Sequence, residues 1–332
     1  MRQQPFESAR EQVWGSFRNE LERLERPRRG KRTRGTDRSD FPRLYRQICA
    51  DYTLARARRY SPGLIAELHD LARRGYRQLY RRRLPLIPMA MGLMARDFPR
   101  TLRRHATLFW LAAGLLFLPM LALGVACYGD TEMIHSVMDS AQVASMESMY
   151  EPENHRPGRA LDRQADTDFM MFGFYIMNNI GIGFRTFASG LLLGVGSVFI
   201  LLVNGISIGA AAGHLTGIGY GGSFWPFVSG HAPYELTAIA ISGAAGLLLG
   251  KAIVAPGRRT RLAALRANAR DAIILVGGAA LMLLLAAVFE AFWSSGPAPS
   301  SVKYAVGALG WLLVGLYLAG AGRGAGGGGD AA

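Results

Sequence analysis

Cysteine is almost absent from this sequence: Cys49 and Cys127 are the only two in 332 residues. In the arrangement argued below they fall at opposite faces of a membrane, so they are expected not to pair, and no metal-type cysteine spacing occurs. Familiar catalytic patterns are missing too. There is no His-Glu-x-x-His for a zinc protease, no Gly-x-Ser-x-Gly elbow and no P-loop. Ser229 stands near His231, but no orienting carboxylate or oxyanion element can be identified, so a hydrolase is not the expected function. Residues Met1 to Glu7 contain no apolar run, so no cleavable signal peptide is expected and targeting falls to the first membrane helix. Neither a cofactor nor a metal is expected.

Apolar residues and divided charge are what the chain has in quantity. Half of it is hydrophobic and its mean hydropathy is +0.14, too apolar for an ordinary soluble domain. Residues 1–105 carry 26 Arg and Lys against 11 Asp and Glu, whereas residues 106–332 carry 12 against 13. A basic head on an apolar body points to a cytoplasmic segment beside anionic membrane lipids. Nucleic acid is the rival partner for such charge, but no helix-turn-helix, zinc-finger or ribonucleoprotein signature supports it.

Taken in order, Phe6, Val13, Phe17, Leu21 and Leu24 recur at helical spacing over residues 6–25. After a basic linker, 27–39, the period resumes through Phe41, Leu44, Tyr45, Ile48 and Tyr52. Ser61-Pro62 then fits the start of a third helix carrying Leu64, Ile65, Leu68, Leu71 and Leu79. Three such helices make a small antiparallel bundle. Its charge runs, such as Arg81-Arg82-Arg83, are read as a solvated or lipid-facing surface. Residues 86–98 are apolar but too short to span, and suit an interfacial helix followed by the collar Arg100, Arg103 and Arg104.

Spans are expected at 107–127, 186–204, 206–221, 233–255, 273–292 and 302–321, with 169–184 as an outer interfacial segment that breaks at the polar elbow Asn178-Asn179 to Arg185. Counting four crossings before the arginine-rich stretch 257–270 keeps that stretch on the cytoplasmic side. The loop 129–168 is acidic and extracytoplasmic; a docking surface and a plain connector are equally open for it. The expected fold is therefore all-α. It is a polytopic membrane helix bundle of about six spans (106–322) behind an N-terminal basic cytoplasmic helical domain (1–105, its interfacial helix about 86–98), with a disordered glycine-rich tail, 323–332.

Polar residues inside apolar stretches are the candidate site, because they are costly in hydrocarbon unless partnered. His231 and Glu235 stand four apart, with Asn178, Asn179, Asn204 and Arg185 as further members of a structural or recognition polar core. If Pro233 is the first helical residue, Glu235 falls at N3, where its carboxylate can cap free backbone N–H groups; this local role is preferred to catalysis. His214 and Glu290 are other polar groups in or near the spans. Gly205, Gly209, Gly213 and Gly217 form a ladder spaced by four, continued by Gly221, which on a helix makes a smooth face for close helix approach.

Asn178-Asn179-Ile, Gly190-Leu-Leu-Leu-Gly194-Val-Gly196, Asn204-Gly205 with Gly209, and above all Gly230-His231-Ala-Pro-Tyr-Glu235-Leu-Thr with Gly243-Ala-Ala-Gly246-Leu-Leu-Leu-Gly250, resemble the stage II sporulation protein M family. The resemblance extends upstream to Tyr45-Arg-Gln-Ile-Cys-Ala-Asp51 and Phe98-Pro-Arg. It implies a multi-pass protein of the bacterial cytoplasmic (inner) membrane, with both termini cytoplasmic and no enzymatic activity of its own. Its implied role is a scaffold that assembles with envelope proteins such as peptidoglycan-degrading enzymes. Homo-oligomerisation is left open. Pro233 departs from the aliphatic residue expected within the His-to-Glu motif. A transporter or channel with its polar site at broken helices is the alternative function.

Overall fold

The computed structural model describes residues 3–25, 40–80, 86–153 and 165–323. The basic linker 27–39, the Arg81-Arg82-Arg83 run, the middle of the acidic loop and the tail beyond Arg323 lie outside the described residues. Every regular element among those described is helical. Contacts divide the chain into Met1–Leu86 and Ile87–Ala332. The division falls earlier than the expected boundary at 105 because Phe98 and Leu102 are buried in the core of the second unit.

The first unit comprises α1 (Gln3–Glu25), α2 (Phe41–Ala57) and α3 (Pro62–Tyr80). Phe6, Phe17, Leu21, Phe41, Ile48, Leu64, Leu68 and Leu71 fill its centre, and Leu24 stays exposed. Each large apolar side chain taken fully out of water contributes about 1.5–3 kcal/mol. Periodicity does not single out Trp14, which is buried and donates its Nε1–H to Asp51 Oδ2 at 2.9 Å. Asp51 is only 2% exposed, and its other oxygen accepts from Arg10 Nε at 3.0 Å and Nη2 at 2.8 Å. A buried carboxylate with three donors is a fully satisfied polar centre.

The second unit contains α4 (Leu86–Gly92), α5 (Phe98–Arg104), α6 (Ala106–Gly129), α7 (Ser140–Tyr150), α8 (Ala165–Ala188), α9 (Val195–Gly217), α10 (Gly221–Ser229), α11 (Ala232–Val254), α12 (Arg261–Val288) and α13 (Ser300–Gly320). A π-type turn, Leu93–Asp97, joins α4 to α5, and another, Phe289–Ser294, extends α12. Five of the described helices are long and apolar enough to cross a membrane: α6, α9, α11, α12 with its extension, and α13. At 24 residues α8 is also of membrane length, about 36 Å at about 1.5 Å per residue. It packs against both α11 and α12, with Gly183 against Ser242 and Leu283. The six helices alternate in direction. The starts of α6, α9 and α12 share one end, the arginine end, while α7, α10 and the start of α11 lie at the other, the loop end. α11 is central, with 78% of its apolar window buried, against 17% for α6.

Two expected breaks are absent. The elbow at Asn178-Asn179 to Arg185 is continuous helix, because Asn179 finds a long-range partner and needs no unwound backbone. Asn204-Gly205 is likewise mid-helix, the Asn204 amide donating to Ile200 O at 2.8 Å within its own turn. The segments expected at 186–204 and 206–221 are therefore not two spans. The chain turns instead at Ser189–Gly194, where Leu193 and Gly194 adopt positive φ of 57° and 85°. Counting α8 as one passage along the bundle and α9 as one, the number of passages before residues 257–270 stays even.

Two seams of small residues bring backbones together. Along α9, added Cβ atoms at Gly205, Gly209 and Gly213 would strike the backbone of Leu116, Met120 and Gly124 on the parallel α6, and one at Gly217 would meet Thr131 and Tyr128. Gly221 begins α10 and leaves the ladder. The second seam sets Gly190 on Gly246 and Gly194 on Gly250, so the turn between α8 and α9 lies directly on α11. In hydrocarbon, where apolar burial distinguishes helix from lipid poorly, such contacts supply the packing energy.

The basic collar before α6 is partly committed inside the protein. Arg103 donates to Leu318 O at 2.7 Å and Ala321 O at 2.6 Å, and Arg100 donates to Gly322 O at 2.6 Å, closing the carbonyls left free at the end of α13. Arg104 and His105 both reach Asp271 Oδ2 at 2.9 Å. Arg103→Ala is expected to lower stability by about 2 kcal/mol, the range of hydrogen bonds to charged groups. Arg103→Lys recovers only part of it, since an ammonium lacks the planar fork. Thermal unfolding in detergent checks this, and an unchanged midpoint would show that the clasp contributes nothing.

Candidate functional site

The polar residues of the second unit gather at the loop end, around a cavity of about 540 Å³. Its walls come from α6, α9, α10 and the first turn of α11, with Glu290 from the α12 extension and Tyr150 from the end of α7. His231 precedes α11 and is buried. Its Nδ1 shares a hydrogen bond of 3.0 Å with Ser294 Oγ, and its Nε2 is 3.8 Å from Glu235 Oε2, beyond hydrogen-bond length. Asn178 Nδ2 donates to Asn179 Oδ1 at 3.1 Å, and Asn179 Nδ2 donates to Glu290 Oε2 at 3.1 Å. Lys303 on α13 is buried and donates Nζ–H to Ser294 O at 2.7 Å. The Tyr150 phenol also faces the cavity, and burial pushes its pKa up, so it remains an O–H.

The structure thus brings together His231, Glu235 and, through Glu290, Asn179 and Asn178. It does not bring in Asn204, spent within its own helix, or Arg185, exposed near the arginine end of α8. The expected cap is not formed. α11 starts at Ala232, so Pro233 is its second residue and Glu235 its fourth, and the Glu235 carboxylate bonds no backbone N–H among the described residues.

Sequence reading placed Glu290 only among the other polar groups in or near the spans, and missed Ser294, Lys303 and Tyr150. No local spacing marks them; they meet only through helix packing. A second polar pair ties the loop region down. His214 on α9 donates from Nδ1 to Thr131 O at 2.9 Å, and its Nε2 is 2.6 Å from Glu147 Oε1 on α7. A carbonyl can only accept, which places a proton on Nδ1.

Five described helices long and apolar enough to cross a membrane, with small-residue seams and a partnered polar cluster, define a multi-pass α-helical membrane protein. Residues 107–295 match the family described as Stage II sporulation protein M, and the chain belongs to that family. Residues 4–81 match a domain of unknown function, DUF8413. No curated protein and no solved structure matches the chain.

Proposed function

We propose that this protein is a non-enzymatic scaffold of a bacterial cell-envelope complex, set in the cytoplasmic membrane with both termini cytoplasmic. The observation that carries this reading is how the bundle spends its polar groups. Arg103 closes α13, Asn179 ties α8 to α12, and Lys303 and His231 meet at Ser294, so most of them hold helices in register. The family match supports the envelope context. Orientation rests on charge: Arg258, Arg259, Arg261, Arg266 and Arg270 cluster at the arginine end, the end favoured for the cytoplasm, while Asp130, Glu132, Asp139 and Glu147 lie at the other. Envelope proteins such as peptidoglycan-degrading enzymes are the proposed partners, with α7 and its neighbours as the face they meet.

Affinity purification of the full chain from native membranes is expected to recover a peptidoglycan-degrading enzyme in stoichiometric amount, and recovery of the bare protein alone would overturn the reading. The cavity beside Glu235 and Glu290 favours a second reading, transport. Solute flux in liposomes that Glu235→Gln abolishes would replace the scaffold with a transporter.

A further inference from the structure

The cavity is larger than packing requires and falls within the roughly 300–1,000 Å³ range that small ligands occupy. Its walls differ in character: Glu235, Glu290, His231 and Tyr150 make part of the lining polar, whereas Met120, Leu121, Ile208 and Leu236 are apolar. Leu121 is eight residues before the end of α6, about 12 Å along the axis at about 1.5 Å per residue. Leu121, Val125 and Tyr128 are 66%, 65% and 60% exposed, so this wall opens sideways where the helix faces lipid. Polar and apolar lining therefore share one cavity whose mouth opens to lipid. That is the profile of a site for an amphiphile entering from the bilayer.

The polar groups of the pocket define the head group. Among the described residues no Arg or Lys pairs with Glu235 or Glu290. Glu290 accepts a hydrogen bond from Asn179, and His231 Nε2 stands 3.8 Å from Glu235, beyond hydrogen-bond length. His231, 6% exposed, is therefore a buried ring whose Nε2 has no partner within hydrogen-bond length on this wall. The neighbouring cation Lys303 is already committed to Ser294 O. Two carboxyl groups that share one apolar cavity and have no Arg or Lys partner among the described residues are complemented by a ligand that brings both N–H donors and positive charge. A primary ammonium supplies one charge and three donors. A quaternary ammonium supplies charge without donors, and a hydroxyl supplies a donor without charge.

We propose that the cavity binds an amphiphile with a primary ammonium head, the ammonium seated between Glu235 and Glu290 and the alkyl chain along Met120, Leu121, Ile208 and Leu236. The amphiphile is either an ammonium-headed phospholipid of the bilayer or a free long-chain amine. This site is independent of the scaffold reading and stands or falls separately from it.

The test uses the delipidated full chain in detergent, followed by native mass spectrometry and thermal unfolding. Phosphatidylethanolamine and phosphatidylcholine are compared as lipids, and dodecylammonium and dodecyltrimethylammonium as free amphiphiles. The primary-ammonium member of at least one pair is expected to be retained about tenfold or more over its quaternary counterpart, the effect of charge-assisted hydrogen bonds. The pair that shows the preference identifies the source. Glu235→Gln with Glu290→Gln is expected to remove the preference. Should that variant fail to fold, Ala212→Phe, which fills the cavity and keeps both carboxylates, is expected to lose the ligand-induced rise in unfolding temperature. Equal retention of primary and quaternary heads, or equal retention by the wild type and the folded variants, would overturn the proposal.

Discussion

Gly209→Leu is expected to cost about 3 kcal/mol or more, at or beyond the top of the usual range for forcing bulk into a packed core. The reason is what stands opposite. A Cβ at Gly209 would land on the carbonyl of Met120, and Gly205 and Gly213 meet the backbone of α6 in the same way one turn to either side. A flexible side chain can move aside, but a helix backbone cannot. The two helices must separate, and the contacts of the whole seam weaken together. Gly209→Leu with Gly213→Leu is expected to give no monodisperse protein on size exclusion. Gly315→Leu provides the control, because a Cβ there meets nothing within 4 Å on α13. If Gly209→Leu and Gly315→Leu melt alike in detergent, the seam is not what joins α6 to α9.

The second large effect lies in the other unit. Asp51→Ala is expected to destabilise the α1–α3 bundle by about 3 kcal/mol, the upper end for hydrogen bonds to a charged group, since Arg10 is partly exposed and water can solvate it. The loss frees Arg10 and leaves the indole N–H of the buried Trp14 without an acceptor. Trp14→Phe, which deletes one neutral donor and keeps most of the volume, is expected to cost only about 1 kcal/mol. Hydrogen exchange on the full chain resolves the two. Protection should fall across residues 3–25 and 41–57 in Asp51→Ala, and hold in the second unit, which has a separate core. Unchanged exchange in the first unit would show that Asp51 is dispensable.

Much of the architecture was legible from one-dimensional pattern. Helical spacing located α1, α2 and α3 to within a few residues, since an apolar stripe of period 3.6 is a property of the helix itself. Long apolar runs marked α6, α11, α12 and α13 because a membrane demands about 20 such residues in a row. The motif around His231 and Glu235 pointed to the family, and the spacing of Gly205 to Gly217 declared a smooth helix face. All of these are local, and so survive without knowledge of what packs where.

Only the tertiary structure decided where the chain turns and which polar groups meet. Asn178, Asn179 and Arg185 looked like a break because polarity within hydrocarbon is costly; Glu290, 111 residues on, removes that cost for Asn179 and the helix runs through. The turn fell at Leu193-Gly194, where close approach to Gly250 rewards an unusual backbone that no hydropathy window registers. Arg103 belongs by sequence to a basic collar before the first span, and only the end of α13 supplied carbonyls for it. Glu235 was read as a cap until the helix was seen to begin one residue earlier. In each case the sequence established the price of an unpaired polar group, and the packing of distant helices decided whether a partner was present.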